Sequence, residues 1–247
     1  MNIALLTSTI APAPNVHLLA RTNVAQRLED YKTAFSFYCD QLSAGVFDYL
    51  VYVDNSEFDL SEIKAIANNK NVIGRVEFIS YESDVSPSNN RFFLEINLID
   101  FFIKNSQTLR KHPSAMIWKI TGRYLIANVQ HIVKRCNVAR TDVYVNMRNH
   151  PYKVVDFYLV GFNLTAYESI FSKNLMMYEG LQDGELTLRR YLDSNPLPSL
   201  HIQKRLPVTP RLIGVRGFDG GRYGGVKDTV KFYIRLVSNK IFPYFWI

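Results

Sequence analysis

The chain has 247 residues, 47% of them apolar, with two cysteines and a net charge of +7. This is enough for one substantial core, and two isolated cysteines exclude a disulfide framework or a zinc scaffold and fit buried thiols in a reducing compartment. No run of about 18 uncharged apolar residues occurs, so no spanning helix is expected, and the opening MNIALLTSTIAPAP lacks a basic n-region and reads as a first strand rather than a signal peptide.

In chain order, β-branched and aromatic runs predict strands over 3–9, 48–53, 75–80 and 115–120. Each is followed by a helical pattern, over 22–42, 60–67, 91–104 and 125–136. Leu28, Tyr31, Phe35 and Tyr38 share one face of the first helix, and Phe92, Ile96 and Ile99 one face of the third. Pro12 and Pro14 break the chain after the first strand, and residues 84–90, around Pro87, form a polar loop. Strands alternating with helices give right-handed β-α-β units: an α/β fold, one domain with a mainly parallel central sheet flanked by helices. Strands over 142–147 and 156–160 add an element whose direction, antiparallel or not, the sequence leaves open. Helices over 165–178 and 185–192 follow. There are no internal repeats. The expected division is an α/β domain over 1–213, then a Gly-rich basic loop and amphipathic tail over 214–247.

The charge is unevenly placed. Residues 201–247 hold nine basic and two acidic groups, the whole excess, and residues 1–200 are neutral. Such a concentration implies a local anionic partner: nucleotide phosphates, a lipid surface or nucleic acid.

Two segments carry most of the chemical information. In DYLVYVDNS (48–56) an apolar strand ends abruptly in Asp54, Asn55 and Ser56. Beyond the carboxyl end of a parallel strand this cluster can hydrogen-bond the base or ribose of a nucleotide; it can equally cap the turn into the next helix. In WKITGRY (118–124) a strand ends at Ile120 and Thr121, Gly122 and Arg123 make the turn. Gly122 suits a positive φ or a close ligand approach. Lys119 and Arg123, four residues apart around a turn, could face one anion, and the planar arginine fork suits a diphosphate; the alternative is a helix start with a surface arginine. Further on, GVRGFDGGRYGG (214–225) has six glycines in twelve residues. Its amides, with Arg216 and Arg222, could fold over a diphosphate as a lid, or the segment is a flexible linker. The basic, aromatic segment 226–247 suits an interfacial anchor on an anionic bilayer, or docks on the chain's own core or on a second subunit.

These motifs, in this order, resemble nucleotide-sugar glycosyltransferases of the GT-A type over roughly residues 1–190. The first strand ends in Thr7-Ser8-Thr9, the second in VDNS, similar to the VDNSS pattern of family 2 enzymes, and WKITGRY occupies the place of the fold's Asp-any-Asp metal motif. The combination also resembles bacterial capsule and lipopolysaccharide biosynthesis proteins. The resemblance implies donor binding by Thr7, Ser8, Thr9, Asp54, Asn55, Ser56, Lys119, Thr121, Gly122, Arg123, Arg216 and Arg222. It implies a catalytic acidic turn in YEGLQDGELTLRR (178–190), with Glu185 the first choice of base, Asp183 the second and Glu179 the third; Asp183-Gly184-Glu185 can equally be a plain helix N-terminus. Thr121 and Gly122 stand where acidic metal ligands are expected, so no metal site is assigned and basic groups are expected to neutralise the leaving diphosphate. Asp142, as a displaced ligand, keeps a manganese or magnesium ion open. Glu95 reads from the sequence alone as a solvated helix residue, whereas the resemblance implies an acidic helix here near the donor. Asp156 reads as an acceptor contact or a strand-edge residue.

The implied partners are a sugar-nucleotide donor, a glycan or lipid-linked acceptor and an anionic membrane surface through 226–247. The implied location is cytoplasmic, peripheral on the inner face of the membrane. Two other classes compete. A nucleic-acid-binding module could use the basic aromatic tail, but the neutral remainder and the lack of a binding motif make nucleic acid unexpected. A nucleotidyltransferase should carry a Gly-rich phosphate loop after the first strand, and residues 7–16 contain no glycine.

Overall fold

The computed structural model describes every residue except 15, 17, 18, 85, 87–89, 138–140, 181, 182, 218 and 243–247. Pro87 and the terminal aromatic run 244–247 of the sequence reading lie outside the described residues. The chain folds as β1 (Asn2–Ser8), α1 (Val24–Ser43), β2 (Tyr49–Asp54), α2 (Ser61–Asn69), β3 (Val76–Ser80), α3 (Arg91–Asn105), α4 (Gln107–Lys111), β4 (Met116–Thr121), β5 (Leu125–Ile126) and α5 (Val129–Cys136). It continues with β6 (Val143–Arg148), β7 (Val154–Phe162), α6 (Leu164–Ile170), a 3-10 segment (Ser172–Tyr178), α7 (Gly184–Ser194), β8 (Ile202–Gln203), β9 (Leu212–Val215), β10 (Arg222–Tyr223) and α8 (Val226–Ile241).

Seven strands form the central sheet in the order β3-β2-β1-β4-β7-β6-β8. The first four are mutually parallel, and β7 runs antiparallel to both β4 and β6. The expected α/β fold with a mainly parallel sheet is therefore what forms. Alternate residues of β1 enter two separate cores. Ala4 and Leu6 pack under α1, α2 and α5, while Ile3 and Leu5 pack under α3, α6 and α7. Both faces of β1 and β2 are covered, which is why these strands read as unbroken apolar runs.

The register aligns the strand ends on one edge: Ser8 faces Asp54, Asp54 faces Ser80 and Thr7 faces Thr121. The order reverses between β1 and β4, since the chain moves outward from β1 to β2 and β3 and then crosses to the other side. A doubly wound sheet opens its ligand crevice at such a switch point, outside the carboxyl ends of the strands. Asp54 and Thr121 flank β1 on this edge, two strand spacings or about 10 Å apart.

Two helices begin at the same edge. Asn90 caps α3 by accepting from the Phe93 amide at 2.9 Å, and its own amide reaches the carbonyls of Tyr178 and Gly180. Asp183 caps α7 by accepting from the Leu186 amide at 3.1 Å. Gly184 lets these first turns meet: a Cβ there would lie 2.3 Å from the Phe92 ring.

Some local expectations give way to tertiary pairing. Leu125 and Ile126 form a strand rather than a first helical turn, because β9 pairs with them. Within the Gly-rich stretch, Gly214 and Val215 end β9 and pair with β10, Arg222 opposite Val215 and Tyr223 opposite Gly214. Both cysteines are free and buried, and burial pushes each thiol up to about 12.

The turn after β4 is tied to β1 by the Gly122 amide, which donates to the Thr7 carbonyl at 2.9 Å. A Cβ on Gly122 would sit 2.7 Å from that carbonyl oxygen. Gly122→Ala is expected to cost about 1–3 kcal/mol through this backbone clash, measured as a lowered denaturant midpoint; an unchanged midpoint would show that the turn has room to shift.

Candidate active site

The floor of the crevice is a buried ion pair. Lys119 is fully buried, and its Nζ lies 2.6 Å from Glu95 Oε1. The Thr7 hydroxyl donates to the same oxygen at 2.7 Å and the Thr121 hydroxyl at 3.2 Å. Lys119 Nζ also donates to Thr121 Oγ1 at 3.1 Å and to the Phe157 carbonyl, and it stands 4.2 Å from the centre of the Phe157 ring. Burial pulls the ammonium below the usual lysine range, and Glu95 opposes that shift. One carboxylate thus joins the ends of β1 and β4. The sequence reading placed Glu95 in solvent; in the structure it lies at the switch point, one helical turn after Arg91.

Phe157 links this floor to a second acid. Its carbonyl takes Lys119, and its amide donates to Glu185 Oε1 at 3.0 Å. β7 runs antiparallel to β4, so Asp156 and Phe157 lie past the carboxyl end of β4. Burial, then the charge of Asp156, raises the Glu185 carboxyl to about 7. Asp156 itself is buried. It accepts from Asn146 Nδ2 at 2.8 Å, from Arg148 Nε at 2.9 Å and from the Tyr158 hydroxyl at 3.3 Å. Arg189 secures α7 to the end of β6, donating to the Arg148 carbonyl and to Asn149 Oδ1, each at 2.8 Å, and to Asp193 at 2.7 Å. The other two acids of the expected catalytic turn sit apart from this cluster. Asp183 is an exposed helix cap and Glu179 is exposed at the end of the 3-10 segment.

Asp54 works as a brace. It is fully buried and accepts four hydrogen bonds: Ser8 Oγ at 2.8 Å, the Ile10 amide at 2.9 Å, the Ser56 amide at 2.9 Å and Ser56 Oγ at 2.6 Å. Its lone pairs are thereby used inside the protein, and Ser8 is buried with it. The accessible members of this group are Thr9 and Asn55, joined by a 2.6 Å hydrogen bond, and Ser56, which also receives the Ala11 amide.

Arg123 and the hairpin form the opposite wall. Arg123 Nε donates to the Val215 carbonyl at 3.2 Å, and its guanidinium lies over the Tyr124 ring. Desolvation and then the like charge of Arg123 lower the Arg91 guanidinium, so two cations share this side of the crevice. The Gly217 carbonyl accepts from the Ala20 and Arg21 amides, pinning the hairpin to the loop after β1. Arg216 pairs with Asp219 at 2.9 Å inside the hairpin and lies over Tyr223. Tyr223 feels the charges of Asp156 and Glu185, whereas Arg222 is exposed.

The edge thus gathers Thr7, Lys119, Thr121, Gly122, Arg123 and Glu185, and adds Glu95, Arg91, Asp156 and Tyr223. Asp142 lies elsewhere. Val143 and Ile117 both pair with Phe162, which puts Asp142 at the amino edge of the sheet. There it accepts from the His201 amide and Asn163 and borders a cleft of about 620 Å³. It is therefore not a displaced ligand of the crevice. At the place of the expected metal motif, the Glu95 carboxylate already faces an ammonium, a donor set unsuited to a hard divalent cation. Among the described residues no three His, Cys, Asp or Glu side chains are grouped to hold a metal ion.

No family model matches the chain, and no curated protein does. Among solved structures, it is similar to a galactosyltransferase, LgtC, in complex with donor and acceptor sugar analogues. That match has 8% identity and a TM-score of 0.46, over 77% of this chain and 69% of that one. It is also similar to a nucleoside-diphosphate-sugar pyrophosphorylase from Vibrio cholerae, at 11% identity and a TM-score of 0.44, over 93% of this chain and 98% of that one. At these scores neither likeness bears on this chain's chemistry.

Removing one partner of the floor should be costly. Lys119→Met is expected to lower stability by on the order of 3 kcal/mol, and the double variant Lys119→Met with Glu95→Gln should recover part of the loss. Additive losses in denaturant melts would contradict the pairing.

Proposed function

We propose that the chain is a GT-A-type glycosyltransferase that moves a sugar from a nucleotide-sugar donor to a glycan or lipid-linked acceptor in surface polysaccharide biosynthesis, on the cytoplasmic side. The observation that carries this reading is the meeting, at the switch point, of an acid that titrates near neutrality with the arginines beside the end of β4. In this reading Asn55, Ser56 and Thr9 contact the nucleoside, since Asp54 and Ser8 are committed to bracing the loop. Arg123 and Arg91 receive the diphosphate. Arg216 and Arg222 on the hairpin close over it.

In the inverting form of the reaction, Glu185 takes the proton of the acceptor hydroxyl as its oxygen attacks the anomeric carbon. The bond from that carbon to the diphosphate oxygen breaks, and its electron pair leaves with the diphosphate. Guanidinium groups meet the developing charge by direct hydrogen bonds. Glu95 and Lys119 neutralise one another, so the floor positions Thr7 and Thr121 without adding net charge under the phosphates. This leaves the arginines as the site's positive charge, and in this reading they take the part of a metal ion.

Ligand binding, product release and the pH dependence of the rate test the proposal. A sugar nucleotide should raise the melting temperature equally with and without EDTA, and turnover should release a nucleoside diphosphate; release of pyrophosphate would instead make the chain a nucleotidyltransferase, and rescue by manganese would overturn metal independence. Because the base must be ionised, kcat/KM should rise with pH on a limb near pH 7, the value to which burial lifts Glu185. Glu185→Gln should lower kcat by roughly 10²–10⁴-fold; a variant that keeps both its rate and this limb would remove Glu185 from the role.

A further inference from the structure

Helix α8 leaves a long apolar face uncovered. Val226, Val230, Tyr233, Ile234, Val237 and Ile241 are each more than half exposed. Their spacing of four, three, one, three and four residues forms one stripe along the helix. The other exposed large apolar residues, such as Met1, Val24, Ile73 and Tyr152, are scattered over the chain, and single exposed apolar residues need no explanation. A stripe on one helix does.

The rim of the stripe is basic. Lys227 and Lys231 are exposed along one border, in the segment that holds the chain's whole positive excess. Asp228, the helix's acidic residue, is half-buried on the opposite side. That opposite side also carries Arg235, whose Nε is buried without a hydrogen-bond partner among the described residues. The charge of Arg235 is felt by Tyr158, the donor to Asp156. One side of α8 therefore faces the crevice wall and the other faces outward.

We propose that the outer face of α8 docks in the plane of an anionic lipid bilayer. A second copy of the chain would cover the stripe but would bring two basic segments together, which like charges oppose. A bilayer with anionic headgroups supplies both needs: an acyl boundary for the stripe and counter-charge for Lys227 and Lys231. The helix has 16 residues, about 24 Å of length, and no helix of the described residues is long and apolar enough to cross a membrane. It therefore lies on the surface, beside the mouth of the crevice. This docking needs no substrate, so it stands or falls separately from the transfer reaction.

The test is flotation of the full chain with vesicles of phosphatidylcholine alone or mixed with phosphatidylglycerol. The wild type is expected to float with the mixed vesicles only, and to be released by high salt. Val230→Asp with Ile234→Asp and Val237→Asp should lose binding by about tenfold or more, and Lys227→Glu with Lys231→Glu should weaken it by a similar factor. All five positions are exposed, so melting temperatures should stay at the wild-type value, which separates loss of docking from loss of folding. Equal flotation with neutral vesicles, no flotation at low salt, or unchanged binding by the triple variant would each overturn the proposal. So would lipid-free dimerisation, seen by light scattering, that the triple variant abolishes.

Discussion

The Lys119–Glu95 pair is the contact on which the crevice depends. A lysine with no solvent exposure cannot be left unpaired, so α3 must present Glu95 to the seam between β1 and β4. That requirement sets the rotation of α3 and brings Arg91, one turn earlier, to the same edge. It also holds the Thr7 and Thr121 hydroxyls inward, on the shared carboxylate oxygen. Phe157 extends the arrangement to Glu185, since one residue's carbonyl and amide serve the ammonium and the acid in turn. A buried ion pair is weak evidence for stability. Its worth here is positional, fixing two strand ends and two helix starts around one opening.

Much of this was legible in the sequence. The unbroken apolar runs of β1, β2 and β4 announced strands covered on both faces, and their alternation with helices announced a parallel sheet. The abrupt ends at Asp54 and Thr121 marked the edge on which the parallel strand ends align. Glu185 was named through the resemblance of residues 178–190 to an acidic catalytic turn, while the capping aspartate and glycine before it supported the competing reading of a plain helix start. The cause of its unusual titration, burial beside Asp156, could not be read from chain positions 29 residues apart, because it depends on β7 running antiparallel to β4.

Other features were hidden for definable reasons. A carboxylate beside an apolar stripe looks the same whether its helix face meets water or a strand end, so Glu95 passed as a surface residue. Asp54 looked like a ligand contact because hydrogen bonds from a returning loop, through Ser8 and Ile10, leave no local signature. Asp142 seemed close to the site because strand direction was unknown; once β6 runs antiparallel to β7, its start falls on the far edge. The glycines of 214–225 suggested mobility, but Gly214 pairs with Tyr223 across the β9–β10 hairpin, whose first strand β5 holds through Leu212 and Ile213. The basic excess of the last segment separates into Arg216 on that hairpin, Arg235 toward the crevice, and Lys227 and Lys231 outward.

The most direct test of this account is a crystal structure of the chain with a bound sugar nucleotide. The account places the diphosphate between Arg91 and Arg123, above the hydroxyls of Thr7 and Thr121, with the Lys119–Glu95 pair intact beneath it. A nucleotide found in the Asp142–His201 cleft on the opposite edge of the sheet, or a Lys119 withdrawn from Glu95 to grip the phosphates itself, would contradict it.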